Sequence, residues 1–143
     1  MSLPDLGLEW VKVKVDTGAR SSALHAADLE QFEDDGDTFV RFEAHPWQRS
    51  ESNGLVVVAR VVDMRAVRSS SGDSEERPVI RSRVRLGDVD FEIELTLTSR
   101  QQMGFRMLLG REAVRGRFLV NAGRSYLEGR PPPEIIRSNR ARS

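Results

Sequence analysis

Alternation of apolar with charged or polar residues is the clearest pattern along the chain, and it predicts half-buried β-strands. Trp10 to Val15 alternates in this way and leads directly to Asp16. Thr38 to Ala44 is rich in β-prone side chains, and Leu55 to Val62 is apolar enough to predict a buried strand. Ser21 to Leu29 is small and mixed, so its pattern leaves both strand and helical turn open. The pattern as a whole predicts a mainly β fold with little helix.

The segment from Ile80 to Leu97 predicts a hairpin in which Gly87 and Asp88 form a two-residue turn. This register places arginines opposite acids on one face and mostly apolar residues opposite one another on the other face. The charged pairs are Arg81 with Glu94, Arg83 with Glu92, and Arg85 with Asp90. A slip of one residue would mix the two faces, so the sequence specifies the register. We interpret the charges as a solvated face, in which each exposed pair stabilises the sheet by less than about 1 kcal/mol.

Other segments complete the predicted elements. Arg68 to Pro78 combines serines, a glycine and charges, and it predicts an exposed excursion. The apolar run Phe105 to Leu109 is closed by Gly110, after which Arg111 to Arg115 predicts one short helix. Phe118 to Val120 predicts a last strand.

The length of 143 residues fits one domain with a core of moderate size. From Arg130 onward the sequence consists largely of prolines, arginines and polar residues, which is typical of a poorly ordered tail. We therefore predict a single domain over residues 1–129 and a poorly ordered tail over residues 130–143.

The charge balance argues against nucleic acid as a partner, because 22 basic and 22 acidic residues leave no net charge. Only Lys12 and Lys14 are lysines, so the other basic residues are arginines, which can bind carboxylates through two hydrogen bonds.

Cysteine is absent, which excludes disulfides, thiol catalysis and thiolate metal sites. The longest apolar run, Leu55 to Ala59, is far shorter than the ~20 residues of a membrane span. The first residues show no charged-then-apolar leader, so we expect no membrane partner and a cytoplasmic protein.

The sequence Asp16-Thr17-Gly18 follows the first predicted strand, and its residue types suit a rigidly held acid. Glycine allows another part of the backbone to come close, and the threonine hydroxyl can bond to a neighbouring backbone group. On these three residues alone, an ordinary turn at a strand end is the more frequent explanation. The rest of the chain therefore decides between the two interpretations.

Three segments occur in an order that resembles the retroviral-type aspartic proteases: D-T-G-A-R at 16–20, the Ser/Gly-rich excursion at 69–77, and M-L-L-G-R-E at 107–112. The chain is most similar to a bacterial retropepsin-like family long labelled ATP-dependent zinc proteases and associated with RimK-type ATP-grasp ligases. The matching segments are L-P-D-L-G at 3–7, K-V-D-T-G-A-R-S-S-A-L-H-A at 14–26, R-P-V-I at 77–80 and M-L-L-G-R at 107–111. The resemblance spans nearly all of residues 3 to 121, and its first block is specific. The chain departs from the viral pattern by an extra segment between D-T-G and the flap.

The resemblance implies an acid-protease β-barrel protomer with one short helix. It implies that Asp16 is the catalytic aspartate and that Thr17 and Gly18 form its supporting loop. It implies structural roles for Gly110, packed against this loop, and for Arg111, as an ion-pairing residue. The substrate contacts that it implies are Ala19, Arg20, Ser70, Ser71, Gly72 and Arg77, of which Ser70 to Gly72 lie near the flap tip.

Aspartic peptidases need two carboxylates, because one takes a proton from the attacking water while the other donates a proton to the peptide carbonyl oxygen. This chain has one D-T-G, so the second carboxylate would be Asp16 of a symmetric copy. The resemblance therefore implies an aspartic endopeptidase that acts as a C2 homodimer on peptide or protein substrates. The association with glutamate ligases favours acidic or glutamate-modified peptides as substrates. Three arginines near the expected cleft favour the same substrates: Arg20, Arg68 and Arg77.

Two alternatives stay open from the sequence. A zinc-dependent peptidase, as the family label states, would have only His25 and His45 as imidazole ligands, with no cysteine and no H-E-x-x-H, so we predict no metal site. No Gly-rich phosphate loop is present, so we predict no cofactor, and any ATP dependence would come from an associated ATP-grasp ligase. The other alternative is a dimeric peptide-binding module without turnover.

Overall fold

Eight strands form one sheet in the computed structural model, which describes residues 1–45, 54–68, 72, 74–98 and 105–118. The strands are β1 Val13–Asp16, β2 Ser22–His25, β3 Ala27–Asp34, β4 Asp37–Ala44, β5 Leu55–Arg68, β6 Ser74–Leu86, β7 Val89–Thr98 and β8 Met107–Gly110. A 3-10 turn, Pro4–Leu6, precedes them, and one short helix, α1 Arg111–Val114, follows β8. The predicted mainly β fold with one short helix is confirmed.

The strand order is β1-β8-β2-β7-β6-β5-β4-β3. β1 runs parallel to β8, and β2 runs parallel to β7, whereas the other neighbours are antiparallel. In this order β8, which comes late in the sequence, lies between β1 and β2, the first two strands. This pairing brings residues that are about ninety positions apart in sequence into one site, as the 88-residue separation of Ser22 and Gly110 illustrates.

The β6–β7 hairpin has the register that the sequence predicts. Arg81 pairs with Glu94, Arg83 with Glu92 and Arg85 with Asp90, and the pairing continues to Leu86 with Val89 around the turn. Gly87 has φ 59°, which this two-residue turn requires and glycine adopts without strain. The guanidinium of Arg81 lies 3.4 Å from Glu92 and 3.6 Å from Glu94; Arg81 and Glu92 are more than half exposed, and Glu94 is half-buried. The charges form a solvated face, as expected.

The core packs against the opposite face of this hairpin. Its most buried side chains come from strands distant in sequence: Leu24, Val40, Phe42, Ile80, Leu95, Leu97, Met107 and Leu109. Leu3 and Val11, before β1, are also buried, and Ser2 forms an isolated bridge with Arg85. The N-terminal segment therefore belongs to the same core as the strands.

Several element predictions need correction. β1 begins only at Val13, because Trp10 has a left-handed backbone with φ 55° that interrupts an extended strand. The prediction of a buried strand from Leu55 to Val62 is wrong about burial: Val56 is 48 % and Val58 is 56 % exposed, because this part of the sheet is covered on one face only. Ser21 to Leu29, left open above, contributes β2 and the start of β3.

Other predictions lie wholly or partly outside the described residues. Phe118 is described and follows α1 outside any strand, whereas 119–120 are not described. The tail at 130–143 is not described either, so the single domain over 1–129 and the tail stay predictions. Among the described residues, no helix is both long and apolar enough to cross a membrane.

Candidate active site

Asp16 is the last residue of β1, and it is held by a turn that its own side chain helps to form. The backbone N–H of Gly18 donates to Asp16 Oδ1 at 3.1 Å, and the N–H of Ala19 donates to the carbonyl oxygen of Asp16 at 3.2 Å. Such a side-chain-to-backbone bond two residues on fixes the carboxylate rotamer. Asp16 is half-buried, and Thr17 and Gly18 are exposed. The turn therefore presents one carboxylate at a defined position on the protein surface.

Gly110 lies beside this turn, paired with Asp16 across the parallel β1 and β8 strands. A Cβ atom at Gly110 would stand 2.5 Å from both the carbonyl carbon and the oxygen of Ser21, and 2.9 Å from the oxygen of Arg20. These are backbone atoms that cannot move aside, so only glycine fits. The Gly110 N–H donates to Ser22 Oγ at 3.0 Å, and Ser22 is only 3 % exposed. The two strands that flank β8 are thus tied to it at the level of Asp16.

Helix α1 makes the second set of contacts with the loop. The N–H of Arg111 donates to the oxygen of Ala19 at 2.9 Å, and the N–H of Glu112 donates to the oxygen of Arg20 at 3.1 Å. The Nε of Arg20 also donates to Glu112 Oε1 at 2.7 Å, although both side chains are more than half exposed. The Arg20 guanidinium lowers the pKa of the Glu112 carboxyl below its ordinary value. Residues 19 and 20 are therefore held to α1 by three hydrogen bonds, one of which is an ion pair.

Two residues of this arrangement are absent from the sequence-based set. Ser22 was missed, although it lies within the K-V-D-T-G-A-R-S-S segment, because nothing local indicates which serine meets β8. Glu112 was missed as a partner of Arg20. Within the described part of the chain, Arg20 forms an ion pair with Glu112, and Arg111 donates its backbone N–H to Ala19, so the ion-pairing role of Arg111 stays a prediction.

The predicted flap is a two-stranded ribbon formed by the ends of β5 and β6. Arg68 pairs with Ser74 and Arg65 with Arg77, whereas among the described residues β6 pairs with β7 from Val79 onward. The ribbon therefore projects beyond β7. Gly72, near its tip, is exposed with φ 90°, and Ser70 and Ser71 lie outside the described residues.

Arg77 lies at the base of this ribbon rather than at its tip. It lines a cleft of about 560 Å³, and its side chain is 18 % exposed. The cleft adjoins the ends of β2 and β7, where His25 pairs with Thr98. His25 lies three residues beyond Ser22, which is about 10 Å along a strand, so Arg77 is separate from the Asp16 loop along β2.

The two histidines are both buried, with ring centroids 6.0 Å apart. His45 Nε2 lies 3.8 Å from Glu43 Oε2, and Gly54 leaves room for the His45 ring, which a Cβ there would approach to 2.7 Å. Within the described ranges, no three His, Asp or Glu side chains are placed to share a metal ion.

The site combines a half-buried aspartate on a D-T-G-A turn with a neighbouring strand whose glycine packs against the backbone of the loop. A short helix follows this strand, and a hairpin projects from the sheet. Together these features define a retropepsin-like protein. Residues 1–131 match the RimB-like family, described as "Retropepsin-like aspartic endopeptidase RimB". The chain belongs to this family. The predicted fold class and family are therefore confirmed.

Related proteins carry a different name and are much longer. The chain is 45 % identical over 128 residues to a "Probable alpha-L-glutamate ligase" of Shewanella pealeana (strain ATCC 700345 / ANG-SQ1). It is 47 % identical over 128 residues to a protein of the same name from Parasynechococcus marenigrum (strain WH8102). In both cases the match covers 90 % of this chain but 28 % of the relative. The chain thus spans just over a quarter of the length of these relatives.

A solved structure has the same fold. The crystal structure of Lpg0085, a protein of unknown function from Legionella pneumophila subsp. pneumophila str. Philadelphia 1, superposes with a TM-score of 0.69 at 26 % sequence identity. The match covers 89 % of this chain and 91 % of that one.

Proposed function

We propose that the protein is an aspartic endopeptidase that acts as a homodimer, with Asp16 of each copy supplying one carboxylate. The observation that carries the proposal is the Asp16 turn, in which the Gly18 N–H holds Oδ1 while Gly110 packs against the following residues. This geometry preorganises one carboxylate, as acid–base chemistry requires. Membership of the retropepsin-like family supports the same reaction.

In the proposed reaction the ionised carboxylate removes a proton from a water molecule as the water oxygen attacks the peptide carbonyl carbon. The protonated carboxyl of the other Asp16 donates its proton to the carbonyl oxygen, which gives a neutral tetrahedral intermediate. Collapse of this intermediate breaks the C–N bond: the carboxyl that took the proton from water gives it to the nitrogen, and the other carboxylate removes a proton from a hydroxyl of the intermediate, which restores the starting pair. One carboxylate cannot hold both protonation states at once, so the reaction needs two copies of this site.

The position of β1 supports a shared site. Among the described strands β1 lies at an edge of the sheet, and Val15, next to Asp16, is 36 % exposed. A second copy could therefore approach the Asp16 loop from the open side, with the two-fold axis between the two carboxylates. In this arrangement the β5–β6 ribbon would cover the bound peptide, with Ser70, Ser71 and Gly72 near its tip.

For substrates we propose acidic or glutamate-modified peptides, and for a partner an ATP-grasp ligase. The longer relatives named as glutamate ligases support both proposals, because there a matching segment occurs in the same chain. Arg20 supports the first, since its side chain lies next to the loop and stays 77 % exposed while paired with Glu112. Peptide carboxylates are natural ligands of such a guanidinium.

The test is cleavage of a mixed peptide library by the wild type and by Asp16→Asn, each with and without a chelator. We expect Asp16→Asn to lower the rate by roughly 10²–10⁴-fold without changing the dimer measured by size, because only the acid–base group is lost. Asp88→Asn, in the exposed β6–β7 turn, is the matched control and should retain full activity.

Three outcomes would overturn the proposal. Full activity of Asp16→Asn would remove Asp16 from the reaction. Loss of activity on chelation would favour the zinc-dependent alternative. Peptide binding without cleavage, and of equal affinity in both proteins, would favour the binding module.

A further inference from the structure

We infer that the cleft at the base of the β5–β6 ribbon is a second binding site, for a zwitterionic ligand such as a short peptide with both termini free. The cleft is formed by the start of β3, the end of β4, the start of β6 and the end of β7. Its volume of about 560 Å³ lies within the range of about 300–1,000 Å³ that small-ligand sites occupy. Its chemistry is distinct from that of the Asp16 loop.

Arg77 provides the anion-binding part of the cleft. Its side chain is four-fifths buried, and its Nη2 lies 3.4 Å from Glu75 Oε2, which is a long contact for an ion pair. Its buried Nε has no hydrogen-bond partner in the described part of the chain. A buried donor without a partner costs free energy, which an incoming oxygen would recover. A carboxylate suits this group, because its two oxygens match the planar guanidinium.

The remaining charges of the cleft exclude a ligand that is only anionic. Four carboxylates line it, against Arg77 and His45 as the basic side chains: Asp28, Glu43, Glu75 and Glu76. A ligand with several negative charges would meet net repulsion there. A ligand with one carboxylate and one ammonium group would satisfy Arg77 and the acids together. Free peptide termini provide this combination.

The site is independent of the catalytic carboxylate. Thr98, in the cleft, is paired with His25, about 10 Å along β2 from Ser22 and the Asp16 loop. An occupied cleft would tie the start of β6 to the start of β3 and the end of β4, and so restrain the ribbon. The significance of this restraint for peptide cleavage rests on the proposed function, whereas ligand binding in the cleft does not.

The experiment is a titration of ¹⁵N-labelled Asp16→Asn protein, which keeps the cleft but prevents turnover, with tri-alanine as the probe. We expect amide shifts at Asp28, Glu76 and Thr98. The N-acetylated and the C-amidated peptides should each bind at least roughly tenfold more weakly, because each lacks one charge-assisted contact. Shifts confined to residues 16–20, equal binding of the amidated peptide, or no shifts at all would overturn the inference.

Variants separate Arg77 from the general charge of β6. Arg77→Gln should weaken tri-alanine binding by at least roughly tenfold, because the carboxylate loses its ionic partner. Arg85→Gln is the matched control, since Arg85 lies exposed on the same strand at the far end of the β6–β7 hairpin. Equal weakening by the two variants would contradict a specific site. The amide shifts are measured on protein in which Arg77 is intact. They therefore test whether the cleft binds tri-alanine even if Arg77→Gln does not fold.

Discussion

At the scale of single residues, the candidate site depends on atoms that are absent as much as on those present. Gly110 has no Cβ, and the space where one would stand is occupied by the backbone of Arg20 and Ser21. The Asp16 loop can therefore lie directly against β8. The carboxylate position is set by a backbone contact, which is stiffer than a contact between side chains.

The substitution Gly110→Ala should separate β8 from the loop. A Cβ at 2.5 Å from the Ser21 carbonyl forces the backbone to shift, and we expect a loss of roughly 1–3 kcal/mol in the free energy of unfolding together with a loss of activity. Gly18→Ala is the comparison, because its Cβ would meet only Asp16 Oδ1, at 3.3 Å. It should reduce activity with a smaller change in stability. Chemical denaturation and peptide cleavage measure the two effects, and an equally stable Gly110→Ala would contradict the close packing.

Ser22 and Ser82 form a natural pair for testing the hydrogen bond to Gly110. Ser22→Ala leaves the buried Gly110 N–H without its acceptor, at a cost of about 1–3 kcal/mol, and should lower kcat because Gly110 borders Asp16. Ser82 is equally buried, and its Oγ donates to the carbonyl oxygen of Arg83, far from the loop. Ser82→Ala should therefore lose stability without losing kcat, and Ser22→Thr, which keeps the hydroxyl, should restore activity. If Ser82→Ala lowers kcat as much as Ser22→Ala, the effect is one of stability alone.

At the scale of elements, α1 supports the loop with its first residues and packs Ala113 and Val114 into the core. It spans only Arg111–Val114, and its first two N–H groups bond to Ala19 and Arg20 instead of remaining solvated. The Arg20–Glu112 pair adds a charge-dependent contact to these neutral bonds. Exposed pairs of this kind contribute little to stability on their own, so we expect the pair to influence the loop more than the whole fold.

The pH dependence of this contact has a definite sign. The pKa of Glu112 is lowered in the folded protein, mainly by its hydrogen bond from Arg20, from an ordinary value of 4.5. The stabilisation is therefore fully present above pH 4.5 and is lost as the pH falls through the lower, folded-state pKa. Wild type should unfold at a higher temperature than Glu112→Gln at neutral pH, and the difference should vanish in acid. A difference that grows on acidification would contradict the ion pair.

The sequence predicts local pairing in this fold better than distant pairing. The β6–β7 register follows from residues only a few positions apart, because alternating charges and a glycine turn specify it completely. The insertion of β8 between β1 and β2 has no comparable local signal. The sequence therefore does not show which serine, Ser21 or Ser22, accepts the hydrogen bond from Gly110. The burial of Leu55 to Val62 was predicted wrongly because an apolar run indicates a strand but not how many of its faces are covered. The segments D-T-G-A and M-L-L-G-R indicate most residues of the candidate site. The role of Glu112 as the partner of Arg20 becomes visible only in the three-dimensional structure.

At the scale of the whole molecule, the proposed enzyme is complete only as two copies. Wild type mixed with an excess of Asp16→Asn should therefore lose activity, because most wild-type chains would then be paired with an inactive one. Excess Asp88→Asn is the control and should not inhibit. The measurement is the cleavage rate per wild-type chain after equilibration of the mixture. An unchanged rate with Asp16→Asn would mean that one chain holds a complete site.

The far edge of the sheet has a consequence for how such a protein assembles. β3 carries exposed acids along the edge, its register shifts between Ala27 and Glu30, and Asp28 has φ 50°. Charges and bulges of this kind discourage another strand from adding to an edge. β1, at the other edge, lacks such a bulge in its four-residue pairing with β8. Of the two edges formed by the described strands, one is thus protected against growth, so self-association through β1 should close at a pair and not propagate into fibres.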